Sequence, residues 1–127
     1  MAGKVAAPLA LHSTSIASQV FLLLTDAELW AVAPSHAYGL IAITGVDVVA
    51  FPVVYRSPRS GLRVLAVWAA LKLALFLGDV LTAPEFGMTY AEFAAYLFGL
   101  PAYVVSVAVQ PPLIVLSVIG SGVVRNS

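Results

Sequence analysis

The chain predicts an all-α integral membrane fold: a four-helix bundle made of two transmembrane hairpins, with both termini on the cytoplasmic side. Three observations carry this. Apolar residues fill 61% of the 127 positions and charged residues only 9%, against about 25% charged in an ordinary soluble domain. Mean hydropathy is +1.02, so lipid or other membrane proteins must solvate most of the surface. The apolar residues also fall into four stretches, each near the ~20 residues that cross ~30 Å of hydrocarbon. No period-two alternation marks a strand, and a spanning backbone must satisfy its own polar groups, which leaves helices. The length predicts a single transmembrane domain over 1–127, with no room for a further one.

The elements follow in order. The first helix is expected over about 9–30 and is the most polar, with His12, Ser13, Thr14, Ser15, Ser18 and Gln19 ahead of the run Val20 to Leu24. Lys4 before an apolar stretch and Ala31-Val32-Ala33 imitate a signal peptide and its cleavage site. Asp26 and Glu28 interrupt that pattern, so the expectation is a retained first helix. A second helix is expected over 37–55, capped by Ser35, and a tight turn at Ser57-Pro58-Arg59-Ser60-Gly61. The third is expected over 61–82, ended by Ala83-Pro84. A capping box at Thr89-Tyr90-Ala91-Glu92 opens the fourth, expected over 90–119. Pro111 and Pro112 remove two donors there and predict a bend, with Gln110 beside it as a polar contact, facing either a partner or the first helix. A weak internal echo relates Leu23-Leu24-Thr25-Asp26 to Phe76-Leu77-Gly78-Asp79, each followed by Ala-Pro. A true repeat would make the two hairpins parallel copies.

Orientation comes from the cations. Arg56, Arg59 and Arg63 cluster in one loop, and Lys4 and Arg125 mark the two ends, whereas Asp26, Glu28, Glu85 and Glu92 fall on the opposite side. The positive-inside rule then places both termini in the cytoplasm of a cell membrane. Trp30, Tyr38, Tyr90 and Tyr96 form the expected outer aromatic belt, and Tyr55 marks the inner one.

A few residues are anomalous in lipid. Asp47 and Lys72 lie inside the second and third helices, each nine residues from an arginine at the same end, Arg56 and Arg63. Both therefore sit about 13 Å above that edge, and an intramembrane ion pair between them is expected, since buried charges seek partners. Asp79, seven residues beyond Lys72, shares its helix face and is the candidate for a proton or ion relay. Ala66, Ala70, Ala74 and Gly78 recur every four residues, the small-residue pattern of close helix packing. His12 and His36 fall at opposite membrane faces and cannot ligate one haem together. His12 is expected to serve helix packing and His36 interfacial hydrogen bonding. Asp26, Glu28 and His36 read as a solvated acidic loop, with a cation site as the sharper alternative.

Function classes narrow accordingly. Zero net charge offers no footprint for nucleic acid, and the absence of cysteine removes disulfides, thiolate metal sites and cysteine nucleophiles. No G-x-S-x-G, H-E-x-x-H or P-loop motif is present, so neither catalysis, a metal nor a cofactor is expected of the chain itself. The leading expectation is a non-catalytic accessory subunit of a larger membrane complex, such as a respiratory or other electron-transport assembly, with lipid and other membrane subunits as partners. The second is a small oligomeric proton-coupled transporter or channel using Asp47, Lys72 and Asp79. A haem-carrying membrane anchor is the third.

Overall fold

The computed structural model describes residues 2–124. Arg125, one of the cations used above for orientation, lies outside the described residues. Every regular element among the described residues is helical. Four segments are long and apolar enough to cross a membrane: Lys4–Thr25, Pro34–Arg56, Pro58–Phe86 and Pro101–Val123. The first has a mean hydropathy of 1.4 and the others 1.9 to 2.0, the difference expressing its histidine, serines and glutamine.

Capping and proline chemistry divide the chain. Helix α1 (Ala2–Thr25) stops where the Asp26 carboxylate accepts the Leu29 N–H at 3.3 Å and caps the short α2 (Ala27–Val32). The first helix therefore ends five residues before the boundary expected at position 30. Prolines open α3 (Pro34–Arg56) and α4 (Pro58–Gly78), at first-turn positions where a missing N–H costs nothing. A 3-10 segment, Asp79–Phe86, continues α4 and ends at Gly87, whose φ of 69° suits a residue without a side chain. The Thr89–Glu92 capping box is fully formed at the start of α5 (Tyr90–Phe98).

The segment read as one helix over 90–119 is three: α5, α6 (Pro101–Ala108) and α7 (Gln110–Val123). Pro101 drives Leu100 into extended backbone, φ −94° and ψ 112°, which separates α5 from the rest. At the second break Val109 keeps helical angles, φ −69° and ψ −30°. Pro111 and Pro112 there interrupt the hydrogen-bond ladder while the backbone stays in the α region. The fourth crossing is thus Pro101–Val123, roughly 34 Å at 1.5 Å per residue, and α5 lies outside it.

Packing is layered along the helices. One apolar cluster joins Leu9, Ala50, Val54, Leu62, Leu65 and Leu113 near the end that carries Lys4 and the Ser57 turn. A second joins Leu40, Phe76, Ala83, Phe93, Leu97 and Tyr103 near the opposite end. The most extensive helix contact is α4 on α7, and α1 packs against α3, α6 and α7. On every crossing, a few polar residues fall between the two apolar sets.

The small-residue stripe packs only in part against the chain's own helices. Ala66 is buried, but Ala70 and Ala74 are exposed and Gly78 is only half-buried. The packed face of α4 runs instead through Leu62, Leu65, Ala69, Lys72 and Phe76. That face is the one from which Lys72 reaches Asp47.

Candidate functional site

The polar residues between the two apolar clusters form one connected network. Asp47 of α3 and Lys72 of α4 are both fully buried, with Nζ 3.0 Å from Oδ1 and 3.1 Å from Oδ2. The ammonium also donates to Ser15 Oγ at 2.8 Å, so all three of its protons are placed. Asp47 accepts further bonds from Trp68 Nε1 at 2.6 Å and Gln19 Nε2 at 2.7 Å. Gln19 spends its second proton on Thr44 Oγ1 at 2.9 Å and accepts from Ser15 Oγ at 3.0 Å. Gln110 Nε2 of α7 donates to Ser15 Oγ at 2.9 Å and to the Ser106 carbonyl of α6 at 2.8 Å. Ser18 and Ser106 hydroxyls meet at 2.7 Å. All four crossings are joined through this layer.

Such saturation has an energetic meaning. A charge in hydrocarbon costs about 3 kcal/mol or more on the helix-insertion scale, and a half-satisfied network is worse than an apolar core. Here the cation and anion compensate each other and neutral donors fill the remaining lone pairs. His12 completes the rim of the layer. Its ring is enclosed, 5.2 Å from Phe51, and Nε2 donates to the Asp47 backbone carbonyl at 2.8 Å. A carbonyl can only accept, so Nε2 carries a proton, and Nδ1 has no protein partner.

Gln110, expected to meet either a partner or the first helix, is fully buried and bonded to Ser15 of α1. Its Oε1 has no protein donor. Pro111 and Pro112 are exposed beside it. The amide turns inward because Ser15 and the Ser106 carbonyl are on α7's packed side.

Asp79 stands apart from the Asp47–Lys72 pair. It lies about 10 Å farther along the helix axis, where Oδ1 stands 3.5 Å from His36 Nδ1. Both line a cavity of about 630 Å³ between α1 to α6 at the end opposite Lys4. The cavity walls are apolar and rich in aromatic rings, among them Phe76, Phe86, Phe93 and Tyr103. Its rim carries Asp26, Glu28, His36 and Asp79, and its lining extends to Ser106 in the polar layer. The Tyr103 hydroxyl donates to the Phe76 carbonyl. The Tyr96 hydroxyl donates to both Asp26 oxygens, at 3.2 and 3.0 Å. Burial, and then the adjacent Asp26 carboxylate, pushes Tyr96 above the ordinary tyrosine range, so it stays a donor at neutral pH. Among the described residues no three histidine or acidic side chains gather in a metal-binding arrangement. The aromatic residues expected in a belt assemble at this end: Trp30 meets Tyr38 edge-on at 5.7 Å and donates to the Leu23 carbonyl at 2.7 Å.

Several network members escaped the sequence reading. His12, Ser15 and Gln19 fall at i, i+3 and i+7 on α1, and Ser106 and Gln110 at i and i+4 across the α6–α7 break. Polar stripes at helical spacing within an apolar span were a usable signal. Trp68 offered none, since an indole in a membrane helix usually reads as an interfacial residue. In comparisons with known proteins, no family model matches the chain, and no curated protein or solved structure matches it significantly.

Proposed function

We propose that this chain is a multi-pass membrane protein whose task is to hold a mainly apolar small molecule in the cavity between α1 and α6. The observation that carries this is the cavity itself. At about 630 Å³, with aromatic walls and a few polar groups at the rim, it has the size and lining typical of ligand sites. The Asp47–Lys72 pair then serves as the staple that fixes the four crossings around that site. Its saturation speaks against a relay through Asp47, Lys72 and Asp79, because each proton and lone pair of the pair is already engaged.

Gly39 provides the test. It lines the cavity, and a Cβ there would meet nothing within 4 Å. Gly39→Leu therefore adds a side chain at the cavity lining with no clash at its Cβ, and the helix gains up to about 1 kcal/mol in propensity. The wild type, solubilised mildly from its native membrane, should carry a lipid-soluble molecule near one per chain by mass spectrometry of the extract. The Gly39→Leu protein should lose it while melting no lower. Identical bound molecules at equal stoichiometry in both proteins would end the binding reading.

The same preparation bears on a second reading, that of an accessory subunit in a larger complex, respiratory or otherwise. The observation in its favour is the outward face of α4, where Ala70 and Ala74 lie exposed beside Val67 and Leu71. Small side chains permit close approach of another helix. Companion chains in fixed ratio would support it, and migration as a lone chain would remove it.

A cytoplasmic location of both termini is proposed from the arginines at the Ser57 turn and from Lys4. The cavity then opens toward the outside. A cysteine replacing Gly87 should react with an impermeant maleimide added to intact cells. Labelling only after the cells are opened would invert the orientation.

A further inference from the structure

We propose that the cavity takes a lipophilic organic cation, with its positive head among Asp26, Glu28 and Asp79 and its apolar body against the aromatic wall. This rests on the cavity being a ligand site. Three carboxylates line the cavity, against one histidine and no lysine or arginine. Tyr96 and the Leu29 N–H engage Asp26, but neutral donors leave its negative charge in place. Asp79 is less than one-third exposed and stands 3.5 Å from His36.

Carboxylates facing an apolar cavity are costly without a counter-charge. A cation with an apolar body offsets that cost and gains burial. A neutral molecule gains burial alone, and an anion is repelled. The rings add to the selectivity. Phe86 lies 5.6 Å from His36 and 5.4 Å from Phe93, which stacks on Tyr96 at 6.3 Å. A group of aromatic rings beside carboxylates is the chemistry that recognises soft organic cations. A small hard metal ion needs about six convergent oxygens, and no such gathering exists among the described residues.

The experiment uses the full chain in a neutral detergent, with equilibrium dialysis against micelles alone as blank. Tetraphenylphosphonium is the cationic probe, tetraphenylborate its anionic isostere and triphenylphosphine oxide the neutral comparison. Tetraphenylphosphonium should bind near one per chain, at least about tenfold tighter than the neutral probe, a gap of about 1.4 kcal/mol. Tetraphenylborate should show no saturable binding. Glu28→Gln, at an exposed position, and Asp79→Asn should each weaken the cation about fivefold and leave the neutral probe within about twofold. The neutral probe also reports whether each variant retains a folded cavity. If all three probes bind equally and all are lost in Gly39→Leu, the cavity is a ligand site but the cation class is overturned. Failure of every probe to saturate, or binding untouched by Gly39→Leu, overturns the cation proposal and the ligand site together.

Discussion

Lys72→Met destabilises the protein by about 3–5 kcal/mol, the cost of leaving a buried charge without its partner. Methionine fills much the same volume, so the loss is electrostatic. Asp47 would keep Trp68 and Gln19 as donors, but two neutral groups do not compensate a carboxylate in hydrocarbon. Ser15 would lose a donor in the same step. Combining Lys72→Met with Asp47→Asn should restore most of the loss, because an amide can still accept from Gln19 or Trp68 and carries no charge. Unfolding free energies in a fixed detergent mixture, measured for both singles and the double, read this directly. A single-variant loss below about 1 kcal/mol would show that the pair behaves like an exposed salt bridge. A double variant as unstable as the singles would move the stabilising role to the hydrogen-bonded network as a whole.

Gly61→Val lowers stability by about 3 kcal/mol, the upper end of ordinary overpacking costs. A Cβ at Gly61 would stand 2.5 Å from Val54 Cα, 2.8 Å from the Val53 oxygen and 2.9 Å from Val54 N. All three are backbone atoms, so no rotamer change relieves the clash. The turn joining α3 to α4 would have to open, which tilts α4 and draws Lys72 away from Asp47. Gly45→Ala is the matched control on α3, where a Cβ would meet nothing within 4 Å. It should be neutral or stabilising by up to about 1 kcal/mol from helix propensity. Thermal unfolding of the two variants under one condition separates them, and equal midpoints would refute the close approach at Gly61.

The Asp47–Lys72 contact was legible because depth in a membrane follows from residue count. Two charges equally far from arginines at one end, on adjacent helices, have few other partners. Asp79 was legible only as to its face: helix phase gives the side a residue occupies, but its partner there depends on which element crosses at that height. His36 opens no hydrophobic run and shows no periodicity, so its place beside Asp79 had no local signature. The α4 stripe turns mostly outward. Ala66, Ala70, Ala74 and Gly78 satisfy a packing pattern, but a buried lysine and its neighbours occupy a competing face, and desolvating a charge outweighs close contact of alanines.

By itself the sequence determined the helical class, the four apolar spans, the Thr89–Glu92 capping box and the matching heights of Asp47 and Lys72 along their helices. These depend on hydrophobicity, on backbone donors and on rise per residue, all local quantities. Only the tertiary structure decided that Ser15, Gln19, Trp68 and Gln110 close a network around Asp47 and Lys72. It also turned Gln110 inward, and it set Asp26, His36 and Asp79 around one aromatic cavity. Those outcomes depend on the rotation of each helix about its axis. Rotation is set by many side chains at once, because every helix here is apolar on most of its circumference and carries little amphipathic signal of its own.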